Sequence, residues 1–100
     1  DIRVGTILES TFNDKLNKPS IILIIDFGSK IGLKKTSAQL TKNYNPDELI
    51  GKQVAAVINF PPMQIGKMIS EILVLGFPDD NNEPILVLPS KKVANGGKLF

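Results

Sequence analysis

The chain has 100 residues, 42% of them hydrophobic, and a formal net charge of +2, which suits one compact domain over residues 1–100 and leaves no room for a second. It contains no cysteine and no histidine, which excludes disulfides, thiolate nucleophiles, Cys- or His-based metal sites and every Ser-His or Cys-His catalytic pair; a non-enzymatic protein without a cofactor, at home in a reducing cytoplasm, is expected. The apolar run Ile21 to Ile25 is far too short to span a membrane, and no basic-then-apolar signal segment opens the chain.

The chain opens on Asp1 rather than on methionine, which leaves room for residues upstream. Ile2, Val4, Thr6 and Leu8 alternate with Arg3, Gly5, Ile7 and Glu9, a period of two that predicts a half-buried strand with the first four on one face. Asn13 to Pro19 is polar, ends in proline and reads as a loop. Ser20 to Phe27 carries β-branched Ile on both faces, as a strand covered on both sides does. Gly28-Ser29-Lys30 supplies a turn, and Leu33 to Ser37 returns as a third strand with Lys34 and Lys35 on opposite faces. Leu40 and Tyr44, four apart, allow a short helix over Ala38 to Tyr44. Asn45-Pro46-Asp47-Glu48 predicts a second helical start, with Asn45 as cap, Pro46 at the first position and Glu48 reaching back; Gly51 ends it. Gln53 to Phe60 is a strand stopped by Pro61-Pro62. Met63 to Met68 connects to a strand over Ile69 to Phe77, Pro78 to Pro84 is an acidic loop, and Ile85 to Leu88 is a further short strand. Asn95-Gly96-Gly97 marks a tight turn.

Three strands, a short helical insert and at least two more strands, with no long helices between them, is the order of an all-β, five-stranded OB-fold Greek-key barrel with its helix between strands 3 and 4. An SH3-like barrel is the competing pattern.

Several stretches together carry a resemblance: Asp1-Ile2-Arg3-Val4-Gly5, Lys18-Pro19, Ile24-Ile25-Asp26-Phe27-Gly28, Lys34-Lys35-Thr36-Ser37-Ala38-Gln39, Leu49-Ile50-Gly51-Lys52-Gln53-Val54, Asn59-Phe60-Pro61-Pro62 and Ser70-Glu71-Ile72-Leu73-Val74-Leu75-Gly76-Phe77. In this order, through nearly the whole chain, they resemble the CsaA family of export-related chaperones. That family is similar in turn to the tRNA-binding domain appended to some methionyl-tRNA synthetases. The resemblance implies a non-catalytic OB-fold homodimer whose ligands are unfolded or export-directed polypeptides. It leaves tRNA and the secretion machinery open as further partners. Where the tRNA-binding relatives tend to carry Ser-Gly and Gly-Met, this chain has Ser37-Ala38 and Glu71-Ile72. An aromatic common after the loop proline is replaced by Ile21 or Ile22. The Ser37-Ala38 and Glu71-Ile72 departures favour the chaperone branch, and the missing aromatic weakens a stacking contribution to a nucleic-acid site.

Two candidate surfaces follow from the residues. Phe60, Pro61, Pro62 and Met63 with Ile65 and Met68 form an apolar, methionine-bearing cluster that suits sequence-tolerant polypeptide binding or, equally, core and dimer contacts. Lys34, Lys35 and Lys42 beside Ser37 and Tyr44 offer phosphate contacts and one ring for stacking, the elements of a tRNA-binding face; the alternative is a solvated lysine edge guarding a strand. Between Asp26 and Asp47 four lysines stand without an acid, and after Glu83 the basic residues Lys91, Lys92 and Lys98 are unopposed. The carboxylates Asp26, Asp47, Glu48 and Glu71 lie in separate elements, so no metal site is expected. The glycines at 28 and 32 lack the Gly-Lys-Ser/Thr ending of a phosphate loop. The apolar ending Leu99-Phe100 points to a homodimer.

Overall fold

The computed structural model describes residues 1–13, 18–65 and 68–100. Its frame is a five-stranded antiparallel sheet. Three strands lead: β1 (Ile2–Asn13), β2 (Ser20–Asp26) and β3 (Leu33–Ala38). The one-turn helix α1 (Pro46–Leu49) precedes β4 (Gln53–Val57). The sheet closes with β7 (Leu73–Val74), giving the order β3-β2-β1-β4-β7. Two short hairpins hang from it, β5 (Met63–Ile65) with β6 (Met68–Ser70) and β8 (Gly76–Pro78) with β9 (Pro84–Leu86). The sheet curls into the OB-fold half-barrel that the order of elements predicts.

Curling buries one continuous set of side chains. Ile21, Leu23 and Ile25 of β2 and Val54 and Ala56 of β4 alternate inward and meet Ile7, Phe27, Leu40, Leu49, Ile72 and Leu86. The β1 face differs from the expected one. Gly5 and Ile7 enter the core, whereas Ile2, Val4 and Thr6 are half-buried on the other side and Leu8 is 44% exposed. The reason is steric as well as hydrophobic: the Phe27 ring and Ile25 lie over Gly5, where a Cβ would meet Ile25 Cγ2 at 2.6 Å. A residue without a side chain at this tight crossing carries no hydrophobic signal, so period-two reading favours the wrong face. A bulge at Leu8, between the pairs Ile7–Ile25 and Glu9–Ile24, then shifts the register.

Ala38 ends β3 and residues 39–44 form a turn, not the helix expected over Ala38 to Tyr44. Tyr44 N–H reaches Leu40 O at 3.0 Å, but Asn45 precedes Pro46 and is driven to extended backbone (ψ 144°). The helical start at Asn45 forms as expected, with Asn45 N–H donating to Glu48 Oε1 at 2.9 Å and Leu49 buried beneath it. The expected strand over Ile69–Phe77 is three strands, β6, β7 and β8, since the chain passes from one partner to the next: Glu71 N–H bonds Lys35 O, Leu75 N–H bonds Ala55 O, and Phe77 pairs with Ile85. Met63–Met68, expected as a connection, contributes the β5 and β6 strands.

The segment after β9 is held against β1. Val4 N–H donates to Gly97 O, Gly96 N–H to Val4 O and Leu99 N–H to Ile2 O. Gln53 Nε2 bonds Val93 O and Asn95 Oδ1, and Thr6 Oγ1 also bonds Asn95 Oδ1. Gly96 is obligatory at its crossing: its φ is +89° and a Cβ would stand 2.5 Å from Phe27 O. No helix among the described residues is long and apolar enough to cross a membrane.

Candidate functional site

The strand pairing decides which predicted residues share a surface. Lys35 lies opposite Ile24, and Ser37 opposite Ile22, on the outer face of β2 and β3; Lys34 lies opposite Ile25 on the inner side. Lys42 stands on the following turn. Of the five predicted contacts, Lys35 and Ser37 therefore share the outer face, whereas Lys34 is turned to the other side. Tyr44 is also engaged: its ring packs on the core, its hydroxyl accepts the Leu86 N–H at 3.0 Å, and the Lys52 ammonium sits 5.8 Å from the ring centroid.

In OB-folds the outer face of strands 2 and 3 is the usual ligand platform. Here it presents Ile22, Ile24 and Leu33, with Leu33 58% exposed, together with the exposed Lys35 and with Ser37, and neither strand carries a ring. Base stacking finds no aromatic partner on these two strands, and the apolar contact they offer is aliphatic.

The apolar cluster from Phe60 to Met68 lies along the β5–β6 hairpin. Phe60 is half-buried and Pro61, Pro62 and Met63 are exposed, whereas the side chains of Ile65 and Met68 lie outside the described residues. Ile69, 57% exposed, adds to this rim. Thr36 anchors the hairpin, its Oγ1 2.6 Å from Ser70 Oγ and donating to Ile72 O at 3.0 Å.

Three surfaces escaped the sequence reading because they join distant segments. A groove of about 630 Å³ between β1, β4 and the C-terminal segment gathers Lys52, Lys91 and Lys92 beside Thr6 and Gln53. A second, apolar groove of about 320 Å³ is formed by Ile2, Val4, Ala55, Val87, Leu88, Val93 and Leu99. A third, about 530 Å³, opens between the end of β3 and the β7–β8 segment. The basic run after Glu83 was the one sequence signal for the first.

The carboxylates have structural partners. Asp26 Oδ1 accepts Gly28 N–H, Glu71 Oε1 accepts Lys35 N–H, and Glu48 caps α1. Among the described residues no three His, Cys, Asp or Glu gather as a metal site. Asp79 is the one carboxyl among them held clearly below its ordinary value, first by the Asn43 side-chain amide at 3.0 Å and then by the Glu83 N–H at 2.9 Å; it closes the β8–β9 hairpin.

With this geometry in view, comparisons with known proteins agree on the family. The model of the family described as Putative tRNA binding domain matches residues 2–98. The solved structure of chaperone CsaA from Bacillus anthracis superposes with a TM-score of 0.94 at 42% identity, covering 100% of this chain and 90% of that one. CsaA chaperone protein from Picrophilus torridus gives 0.91 at 46%, covering 100% and 91%. A methionine–tRNA ligase from Porphyromonas gingivalis is 32% identical over 99% of this chain, which spans only 14% of that enzyme.

Proposed function

Since this chain belongs to the tRNA-binding-domain family and carries its OB-fold from end to end, we propose that it is a non-catalytic cytoplasmic chaperone that binds unfolded or export-directed polypeptide as a homodimer. The observation that carries this reading is the ring-free β2–β3 platform, on which Ile22, Ile24 and Leu33 surround Lys35, set in a chain that matches two CsaA chaperones over its whole length. Exposed Met63 and Ile69 extend the apolar surface available to an unfolded chain.

The homodimer reading rests on the second face of β1. Ile2 and Val4 stay half-exposed in the apolar groove, Leu88 is 45% exposed and Leu99 63%, while the hydrogen bonds from Gln53, Thr6 and Arg3 hold the segment behind them in place. A rigid apolar face of this kind is covered by a second copy of itself rather than left in water. The test of the chaperone reading is dilution of a chemically unfolded enzyme into buffer with and without this protein. Stoichiometric suppression of light scattering supports it, and scattering unchanged at excess protein refutes it.

Binding of tRNA is the second reading, favoured by the resemblance to methionine–tRNA ligases. Its electrostatic locus is the groove where Lys52, Lys91 and Lys92 outnumber Asp26, rather than Lys34 and Lys35, which stand on opposite faces of β3.

A further inference from the structure

The barrel is not closed all the way along its seam. At one end β3 is zipped to the segment entering β7: Lys35 O accepts the Glu71 N–H at 2.9 Å, Lys35 N–H donates to Glu71 Oε1 at 3.0 Å, and Thr36 Oγ1 bonds Ile72 O. These bonds identify the side of β3 that faces away from β2. Two residues on, by the period of a strand, Ser37 presents its N–H and C=O in the same direction, and among the described residues neither has a partner. Across the gap, Leu73 pairs with Val57 and Leu75 N–H bonds Ala55 O, so the Val74 amide and carbonyl point away from β4. Those of Gly76 likewise point away from β9, because Val87 N–H bonds Leu75 O and Asp79 N–H bonds Glu83 O on either side of it. Ser37, Val74 and Gly76 all line the groove of about 530 Å³.

We propose that this seam takes up an extended polypeptide segment as an added β-strand, bonded on one edge to Ser37 and on the other to Val74 and Gly76. The proposal rests on the polypeptide-binding reading and specifies how that ligand is held. The sheet order places β3 and β7 parallel to each other, so a strand running against both forms antiparallel ladders on its two edges. Backbone recognition of this kind supplies affinity with little demand on sequence. Guarding charges are placed accordingly. Lysines 34 and 35 stand where the edge is already covered by Glu71, whereas the open stretch Ser37-Ala38-Gln39 carries no charge or proline to repel a strand. Leu73, 50% exposed, lines the groove and offers apolar ground to a ligand side chain. Lys18 and Glu83 are the charges on its rim and cancel, so phosphate finds no net attraction there.

The experiment uses a fluorescent peptide of alternating Val and Thr, flanked by lysines, and the same peptide N-methylated at every second residue. Methylation removes donors and leaves the side chains unchanged. Strand addition predicts that the methylated peptide binds at least about tenfold more weakly, and that hydrogen exchange at the Ser37, Val74 and Gly76 amides slows on saturation with the unmethylated one. Equal binding of the two peptides, or binding without protection of those amides, overturns strand addition and leaves polypeptide binding standing by another surface. If neither peptide binds while labelled tRNA does, both readings fall. Protection of the same three amides by tRNA also overturns the proposal.

Discussion

Gly5→Ala tests the packing that turns β1 toward the barrel. The added methyl would lie 2.6 Å from Ile25 Cγ2 and 2.8 Å from Phe27 Cδ1, against about 3.5–4.0 Å for carbon atoms in contact. Neither neighbour has space to retreat: Ile25 is fully buried, Phe27 is 1% exposed, and the Phe27 carbonyl lies against Gly96. Overpacking of this kind costs roughly 1–3 kcal/mol, offset by about 0.4–1 kcal/mol from the narrower unfolded ensemble of alanine. A net loss of about 1–2 kcal/mol follows, which for a domain of this size lowers Tm by about 5–15 °C. Urea unfolding followed by circular dichroism is the assay, with the midpoint expected to fall at unchanged slope. A variant as stable as the parent would refute the claim that Ile25 and Phe27 leave no room for a side chain at Gly5.

Val4→Asp places a charge in the apolar groove on the second face of β1 and is expected to give a folded monomer; sedimentation that still returns twice the chain mass contradicts that groove as the dimer contact. Replacing Lys52, Lys91 and Lys92 together by Ala should reduce the log–log salt slope of tRNA binding by about two to three, whereas Lys34→Ala with Lys35→Ala should change it by at most about one; the reverse order would return the nucleic-acid site to β3. Asp79 is stabilised in its charged form, so its contribution to the β8–β9 hairpin is complete above the ordinary carboxylate value and is lost as pH falls through its lowered folded value. Hydrogen exchange at the Asn81 and Glu83 amides should therefore accelerate on acidification beyond the intrinsic rate, and Asp79→Asn should remove that dependence. An acid response unchanged in the Asn variant would count against it.

What the chain makes legible is local. The Asn45-Pro46-x-Glu48 start and the glycine turn after Phe27 act over a few residues and form as the sequence predicts; Ser20 to Phe27 is a strand as expected, but covered on one side only, with Ile21, Leu23 and Ile25 buried and Ile22 and Ile24 half-exposed. Misreadings arise where a second partner decides. Leu8 is apolar and periodic but faces outward, since the bulge and the bare Gly5 set the register. Leu40 and Tyr44 have helical spacing, yet Pro46 and the bond to Leu86 make them a turn. Ile69 to Phe77 reads as one strand, but its three pieces pair with three different strands, β5, β4 and β9. Lys34 and Lys35 are adjacent in sequence and opposed in space, whereas Lys52 and Lys91, far apart in the chain, line one groove. Non-local pairing is what builds a site in this fold, and periodicity does not report it.

The central claim is that an unfolded polypeptide, held through apolar and backbone contacts, is the ligand. The most direct test titrates one preparation of the protein with labelled unfolded polypeptide and with labelled tRNA at low and at raised salt. Apolar and backbone binding predicts a polypeptide affinity that holds or strengthens as salt rises, while any tRNA affinity falls steeply. Tight tRNA binding with no measurable polypeptide binding at either salt would contradict the account.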